Sequence, residues 1–256
     1  ATSLYDVDAA GLERGLAAIE KQWLNAVAKG RRTDAEIVRF GSNLHPVDSL
    51  APAADADLAI EAVFEQLDAK LAVVREVSAQ LPATAIFASN TSSISITRLA
   101  AAAADPGRVV GLHFFNPVPV LPLVEVARGM QTAEETVERA VAFVRQIGKE
   151  PALVEDSPGF VVNRVLLPMI NEAIFCLAEG VATRETIDAT MKLGANHPMG
   201  PLALADLIGL DVCLDILETL QRDLGDDKYR PAPLLRRMVA AGKLGRKRGA
   251  GFYDYA

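Results

Sequence analysis

The stretch that decides the fold is residues 85–93, Ala-Ile-Phe-Ala-Ser-Asn-Thr-Ser-Ser. Four apolar residues predict a short buried strand, and five small polar residues follow it directly. In an open parallel sheet, ligands bind just beyond the carboxyl ends of the strands, so residues 89–93 predict a ligand site. The alternative is a polar turn that caps a helix predicted over 94–104, an interpretation that suits Thr91 and Ser93.

Strand-like and helix-like segments alternate on both sides of this stretch. Short apolar runs predict strands over 57–61, 109–113, 123–126 and 152–154, and apolar residues at helical spacing predict helices over 12–28, 65–81 and 133–147. The chain also opens with a strand-like Leu4–Tyr5 that runs into Asp6. Such alternation is typical of a mostly parallel sheet that helices cover on both faces.

The pattern changes near residue 156, beyond which strand signals are almost absent. Helices are predicted over 160–177, 183–191, 203–224 with an interruption at Gly209, and 234–241. We therefore predict an α/β domain over residues 1–156 and an all-helical domain over residues 157–256. The helix over 160–177 is apolar on more than one face, which suggests that a partner subunit covers part of it.

The composition narrows the class of protein. Of the 256 residues, 50% are hydrophobic and 23% are charged, and a net charge of −7 argues against a nucleic-acid partner. We expect no membrane-spanning segment, because no window approaches about 20 uninterrupted apolar residues. We also expect neither a signal peptide nor a metal site. Cys176 and Cys213 lie in apolar helical patterns, which predicts free thiols and fits a reducing, cytoplasmic setting.

His113 ends another predicted strand, at the edge of the sheet where ligands bind. Imidazole is the usual proton shuttle near neutral pH. Glu125 lies on the next strand, and an antiparallel pairing would bring its carboxylate against the imidazole. A solvent-facing strand residue is the alternative for Glu125. The other two histidines, His45 and His197, lack a comparable setting and are interpreted as structural.

A third polar feature lies where the two predicted domains meet. Asn163 falls about one turn into a helix of large apolar residues, where asparagine is mildly unfavourable. It either caps or bridges within the core, or it reaches across the cleft between the domains. Domain interfaces are favoured places for small-molecule sites.

Three motifs, in this order, resemble the L-3-hydroxyacyl-CoA dehydrogenase family. They are Ser-Asn-Thr-Ser-Ser at 89–93, His-Phe-Phe-Asn-Pro-Val at 113–118 and Ser-Pro-Gly-Phe-Val-Val-Asn-Arg at 157–164, and residues 194–201 and 249–253 match the family's helical domain. The resemblance runs from about Tyr5 to the last residue and is greatest to the bacterial 3-hydroxybutyryl-CoA dehydrogenases. It implies a Rossmann-like doubly wound α/β sheet followed by an all-helical dimerisation domain.

The resemblance also implies a reaction. The family interconverts (S)-3-hydroxyacyl-CoA and 3-oxoacyl-CoA by hydride transfer with NAD, in β-oxidation of fatty acids or in butanoate metabolism. His113 would be the general base and Glu125 its orienting partner. Ser92 and Asn163 would hydrogen-bond the reacting oxygen and the imidazole region, and so position the substrate.

Cofactor and coenzyme A contacts are carried over in the same way. Asp6 would hold the adenosine ribose, and an acid there favours NAD over NADP. The remaining implied cofactor contacts are Glu65, Lys70, Asn90, Ser92, Asn116 and Lys247. For Glu65 and Lys70, an ordinary charge pair on a helix surface is the alternative. Lys29, beside Arg31 and Arg32, falls where a family lysine meets coenzyme A, with a solvated basic face as the alternative.

The sequence departs from the family at its start. The family begins with a buried strand and a GxGxxG turn that binds the pyrophosphate, and neither precedes Asp6 here. Gly11 and Gly15 lie within a helix pattern, so we expect roughly 25 residues to be missing, the length of a strand–turn–helix start. We therefore expect this chain to bind NAD weakly or not at all.

Two other functions remain open on the sequence alone. One is a dehydrogenase of free hydroxy acids on the same fold, like the gulonate dehydrogenases that resemble this family. The other is a non-catalytic, dimeric relic that has lost its cofactor site. The motifs at 89–93 and 113–117 favour the CoA-dependent enzymes.

Overall fold

The structure is a computed structural model that describes residues 1–255. Residue 256, the last residue of the predicted helical domain, lies outside the described residues. The described residues divide into two compact units: Ala1–Ala59 with Glu76–Ile86 form the first, and Ile60–Arg75 with residues 87–255 form the second. The domain boundary predicted at residue 156 stays a prediction.

The first unit contains a short parallel pair of strands and two helices. In chain order these are β1 (Thr2–Leu4), α1 (Ala9–Ala28), α2 (Asp34–Gly41) and β2 (Leu44–Pro46), and β1 pairs with β2. Asp8 caps α1 by accepting from the amide of Ala10. Thr33 and Glu36 form a reciprocal capping box at α2, a helix for which we made no prediction although Thr-x-x-Glu is its usual start signal.

A five-stranded sheet carries the central part of the chain. Its strands are β3 (Leu58–Glu61), β4 (Ile86–Ser89), β5 (Val109–Phe114), β6 (Leu123–Arg128) and β7 (Glu150–Glu155), hydrogen-bonded in that order. β4 pairs with β5 and β6 with β7 in parallel, whereas β5 and β6 are antiparallel. Along the chain, helices lie between some of these strands: α3 (Leu67–Ser78), α4 (Ile96–Ala100) and α5 (Glu134–Gln146). The predicted α/β class is confirmed.

The helix predicted over 94–104 is wrong in extent, since α4 ends at Ala100 and the alanine-rich residues after it form turns. Asp105 precedes a proline, which disfavours helical backbone at that position. Asp156, which follows β7, accepts from the amides of Ile96 and Thr97. A carboxylate distant in sequence therefore helps to fix where α4 begins.

The C-terminal part of the second unit is helical, as predicted. It comprises α6 (Val162–Ala178), α7 (Arg184–Gly194), α8 (Pro201–Ile208), α9 (Leu210–Leu224) and α10 (Pro233–Ala240) around a buried apolar core. Thr183 caps α7, and Gly209, with a φ of 107°, separates α8 from α9. Two buried carboxylates, Asp188 and Asp206, accept from backbone amides and hold α8 and the C-terminal segment in place.

None of the helices in the described part of the chain has the length and apolar character that crossing a bilayer requires. Within residues 1–255, no three histidine, cysteine, aspartate or glutamate side chains group as a metal ion would need.

Gly111 in β5 lies too close to Ala127 of β6 and to Ile96 of α4 to leave room for a side chain. A Cβ at Gly111 would lie 2.7 Å from the Cβ of Ala127 and 2.9 Å from the Cδ1 of Ile96. We expect Gly111→Ala to lower the free energy of unfolding by about 1–3 kcal/mol through overpacking. Chemical denaturation measures this change.

Gly15→Ala is the matched control, because nothing lies within 4 Å of a Cβ at that position in α1. It should raise the stability of the helix by about 0.5–1 kcal/mol. Equal unfolding curves for Gly111→Ala and the parent chain would contradict the close packing of β5 on β6.

Candidate active site

A histidine–glutamate pair lies at the end of the central strands. The register of β5 and β6 places His113 directly opposite Glu125. The Nδ1 atom of His113 lies 2.8 Å from the Oε2 atom of Glu125, and both residues are buried. Glu125 is only 1% exposed, so the alternative of a solvent-facing strand residue is wrong.

The second oxygen of Glu125 reaches the helical segment. Oε1 accepts from the backbone amides of Val161 and Val162, at 3.1 and 3.0 Å, where α6 begins. These amides belong to the unpaired first turn of a helix, whose dipole favours a negative charge. The first turn of α6 therefore fixes the Glu125 carboxylate, and this carboxylate in turn fixes the imidazole of His113.

This arrangement fixes the tautomer of the imidazole. An ionised carboxylate only accepts hydrogen bonds, so Nδ1 of His113 carries the proton facing Glu125. The other ring nitrogen, Nε2, is then left with a lone pair, as a general base requires. The rings of Phe115 and Phe160 lie 4.4 and 5.7 Å from the imidazole ring, centre to centre, and limit the access of water.

Phe160 has an unusual backbone for a bulky residue, with a φ of 46° after Gly159 at 72°. A left-handed conformation at such a residue costs on the order of 1–3 kcal/mol and persists only where the surroundings impose it. Here it places an aromatic ring against His113 immediately before α6 begins.

The polar residues after β4 wrap around a single carboxylate oxygen. Oε1 of Glu65 accepts from the Thr91 hydroxyl at 2.6 Å, and from the amides of Ser92 and Ser93 at 3.0 Å each. The Ser93 hydroxyl also donates to it at 3.0 Å. The side chain of Glu65 thus fixes the conformation of the loop over 91–93.

The pKa of Glu65 reflects these contacts. Burial alone would raise the pKa of this carboxyl group. The hydrogen bond from Thr91 and the charge on Lys70, together with the donors of Ser92 and Ser93, lower the pKa by more than burial raises it, so the net shift is downward. Glu65 is therefore ionised at neutral pH.

Asn163 and Ser92 are brought together. The Nδ2 atom of Asn163, near the start of α6, lies 3.4 Å from the carbonyl oxygen of Ser92. Asn163 is the second residue of α6, and only 9% of it is exposed. Its side-chain amide is directed at the polar loop and not into an apolar core. Between a cap or bridge within the core and a reach toward the polar segment of the other predicted domain, this contact fits the second, and the cleft itself stays a prediction.

Lys70 lies inside the second unit, with 1% of its side chain exposed. Its Nζ atom is 2.6 Å from Glu61 and 3.3 Å from Glu65. The alternative of an ordinary surface charge pair is therefore wrong. We did not predict a role for Glu61; the signal for it was a carboxylate ending an apolar strand, nine residues before a lysine.

Two more predicted residues surround the end of β5. The Oδ1 atom of Asn90 accepts from the amide of Phe114 at 3.0 Å. Asn116 is exposed in the proline-rich turn that follows the strand. Lys149, which sequence reasoning missed, donates to the carbonyls of Val118 and Leu121 at 2.6 and 2.7 Å and holds this turn.

Lys247 lies in a short 3₁₀ turn, Arg246–Arg248, and its Nζ atom is 2.6 Å from the carboxylate of Asp211 at the start of α9. Burial raises the pKa of Asp211, but the hydrogen bond and charge of Lys247 outweigh this effect, and the net shift is downward. His197 is part-buried in the turn after α7, away from any strand end.

The first unit holds the remaining predicted residues. Asp6 follows β1 and is exposed, and its Oδ1 atom accepts from the amide of Asp8 at 2.9 Å. A carboxylate just beyond a parallel strand fits the hydroxyls of an adenosine ribose. Lys29 is exposed at the end of α1, His45 is exposed in β2, and Gly11 and Gly15 lie inside α1.

The chain matches two family models over nearly all its length. Residues 1–157 match the NAD binding domain of 3-hydroxyacyl-CoA dehydrogenase, and residues 159–255 match the C-terminal domain. A probable 3-hydroxybutyryl-CoA dehydrogenase from Bacillus subtilis is 52% identical over 252 residues, which cover 98% of this chain and 88% of that protein. A 3-hydroxybutyryl-CoA dehydrogenase from Bradyrhizobium diazoefficiens is 51% identical over 98% of this chain and 86% of that protein.

Solved structures agree with these relatives. The crystal structure of (S)-3-hydroxybutyryl-CoA dehydrogenase from Ralstonia eutropha superposes with a TM-score of 0.96 at 46% identity, covering 99% of this chain and 90% of that one. With two family models and relatives above 50% identity, the chain belongs to the 3-hydroxyacyl-CoA dehydrogenase family.

Proposed function

We propose that the chain is an NAD-dependent oxidoreductase that interconverts (S)-3-hydroxyacyl-CoA and 3-oxoacyl-CoA. The observation that carries this function is the buried His113–Glu125 pair, 2.8 Å apart, beside two aromatic rings. The relatives named 3-hydroxybutyryl-CoA dehydrogenase support a short acyl chain.

In the direction of oxidation, Nε2 of His113 takes the proton from the 3-hydroxyl group of the substrate. Glu125 keeps the imidazole in the tautomer that can accept this proton and stabilises the imidazolium that forms. The chemistry that NAD would supply when bound is acceptance of the hydride that leaves carbon 3. In the reverse direction His113 returns the proton to the oxygen of the ketone.

The polar loop and α6 position the substrate. Ser92 and Asn163, which are in contact through the Ser92 carbonyl, hydrogen-bond the reacting oxygen and the region of the imidazole. Asp6 would hold the adenosine ribose of NAD. The other residues proposed to contact the cofactor are Glu65, Lys70, Asn90, Ser92, Asn116 and Lys247. Lys29 contacts coenzyme A, whose phosphates an ammonium group suits.

Three further proposals concern the setting of the enzyme. We propose a homodimer through the helical segment, supported by exposed apolar side chains on and beside its helices: Val161, Val165, Val181, Leu193 and Leu207. We propose a cytoplasmic location, supported by two free thiols. The ligands are small molecules rather than nucleic acid or membrane, and the reaction serves fatty-acid or butanoate metabolism.

The direct test of the function is the oxidation of NADH with acetoacetyl-CoA, followed at 340 nm. Because this chain is expected to bind NAD weakly, the assay uses NADH well above ordinary levels. We expect turnover that His113→Ala lowers by about 10²–10⁴-fold, the usual contribution of a positioned acid–base group. His45→Ala is the matched control and should leave the rate unchanged, since His45 is exposed in β2.

Other outcomes of this assay would assign a different function to the chain. Turnover of free hydroxy acids alone would replace the CoA-dependent function with that of a gulonate-like dehydrogenase. A folded protein that turns over neither substrate, even with NADH raised well above ordinary assay levels, would make it a non-catalytic relic.

The role of Glu125 is tested by Glu125→Gln. An amide at this position removes the charge that stabilises the imidazolium and no longer fixes the proton on Nδ1, so kcat should fall by about 10²-fold or more. The exposed Glu155, at the end of β7, provides the matched Glu155→Gln control, for which we expect an unchanged kcat. An unchanged kcat in Glu125→Gln would remove Glu125 from the mechanism.

The choice of cofactor is tested by Asp6→Ala. The carboxylate should repel the 2′-phosphate of NADPH, so kcat/KM should be higher with NADH in the parent chain. The variant should narrow the ratio of the two kcat/KM values by about tenfold or more, since like-charge contacts cost on the order of several kcal/mol. The exposed Asp48 supplies the control Asp48→Ala, and equal narrowing in both variants would overturn the assignment of Asp6.

A further inference from the structure

Glu61 is the centre of a buried polar network below the loop over 91–93. It ends β3, and its side chain is 1% exposed. Its Oε1 atom accepts from the amide of Val63 at 2.7 Å and from Lys70 at 2.6 Å, and its Oε2 atom accepts from the Ser89 hydroxyl at 2.6 Å. One carboxylate therefore joins the loop after β3, the helix α3 and the end of β4.

Lys70 carries the network from Glu61 to Glu65. An ammonium group has three hydrogens, and Lys70 has three acceptors: Glu61, the carbonyl of Val63 at 3.2 Å, and Glu65. The contact with Glu61 is the shortest, and it is the only one of the two carboxylate contacts in which both side chains are 1% exposed. Glu61 is therefore the main counter-charge of Lys70.

Glu65 completes the path to the backbone of Ser92. Its Oε2 atom faces Lys70 at 3.3 Å, while its Oε1 atom holds the donors of Thr91, Ser92 and Ser93. A chain of direct contacts thus runs from Glu61 through Lys70 and Glu65 to the loop.

Stability alone gives little reason for such a pair in the interior. Removing two charges from water is unfavourable, and well-packed apolar replacements of buried ion pairs are often neutral or stabilising. A charged pair does, however, impose a specific geometry on the groups it contacts. In this chain those groups lie next to the residues that we assign to the substrate and the cofactor.

We propose that Glu61 is a positioning residue for the dehydrogenase reaction: it fixes Lys70, and through Lys70 it fixes Glu65 and the loop that carries Ser92. The proposal rests on the proposed function for its effect on catalysis, and on the contacts above for its effect on the loop. Glu61 itself touches neither substrate nor cofactor.

Glu61→Gln tests the proposal in the full chain, because it keeps the size of the side chain and removes its charge. Two quantities are measured: the amide hydrogen exchange rates of Ser92 and Ser93 by NMR, and kcat and KM with acetoacetyl-CoA and NADH. We expect exchange at both amides to accelerate by about tenfold or more as Glu65 loses its fixed partner. We expect kcat and kcat/KM to fall together by about 10- to 100-fold, as for a small misplacement of a group near the reacting atoms.

Two variants separate positioning from a loss of stability. Thr136→Val removes a different buried hydrogen bond, from the Thr136 hydroxyl to the carbonyl of Gly107 at 2.8 Å, and should leave both measurements unchanged. The double variant Glu61→Gln/Lys70→Met removes the unpaired buried ammonium, so its Tm should recover from that of Glu61→Gln. Exchange at Ser92 and Ser93 should nevertheless stay fast. Only exchange and Tm are compared in the double variant, because Lys70 is itself a proposed cofactor contact.

Each result decides the proposal. If Glu61→Gln lowers the Tm but its loop exchange and kcat match those of Thr136→Val, Glu61 is merely structural and the proposal is overturned. The proposal is also overturned if the double variant restores slow loop exchange together with the Tm. If the parent chain oxidises no NADH, the proposed function fails instead. In that case the exchange rates alone decide: fast exchange in Glu61→Gln supports the positioning of the loop, and unchanged exchange overturns it.

Discussion

The structure of the site depends on how the carboxylate of Glu125 is held. Three donors fix it: Nδ1 of His113 and the amides of Val161 and Val162. A buried carboxylate is tolerated only when hydrogen bonds replace its hydration, and here they come from two parts of the chain. The register of β5 and β6 supplies the histidine, and the first turn of α6 supplies the amides. A change in either element would therefore alter the acid–base group directly.

The loop that carries Ser92 follows the same physical principle. It has little apolar surface to pack, so Glu65 orders it by collecting donors from three successive residues. Lys70 and Glu61 then supply the charge balance below Glu65. The geometry of this site thus depends on carboxylates that backbone amides and cationic or polar side chains hold in place, and not on apolar packing alone.

Much of this arrangement follows from the sequence, because strand ends and periodicity are local signals. The apolar run before Ser89 predicts where the polar loop begins. Apolar runs likewise predict the strands of His113 and Glu125, and antiparallel pairing of these strands predicts that the two side chains meet. The burial of Lys70 does not follow, since a helical lysine five residues after a glutamate resembles a surface charge pair. Its main partner, Glu61, lies on another element. The short helix α2 and the start of α4 depend on capping contacts, the Thr33–Glu36 box and the carboxylate of Asp156, which periodicity does not reveal.

The measurement that tests this account most directly is the ¹⁵N NMR spectrum of the His113 imidazole in the chain without ligand. If Glu125 fixes the ring, Nδ1 is protonated and Nε2 is not, throughout the pH range in which the imidazole is neutral. The same spectrum of Glu125→Gln should show a mixture of the two tautomers. A proton on Nε2 of the neutral ring in the parent chain would contradict the account, because that nitrogen could then not take a proton from the substrate.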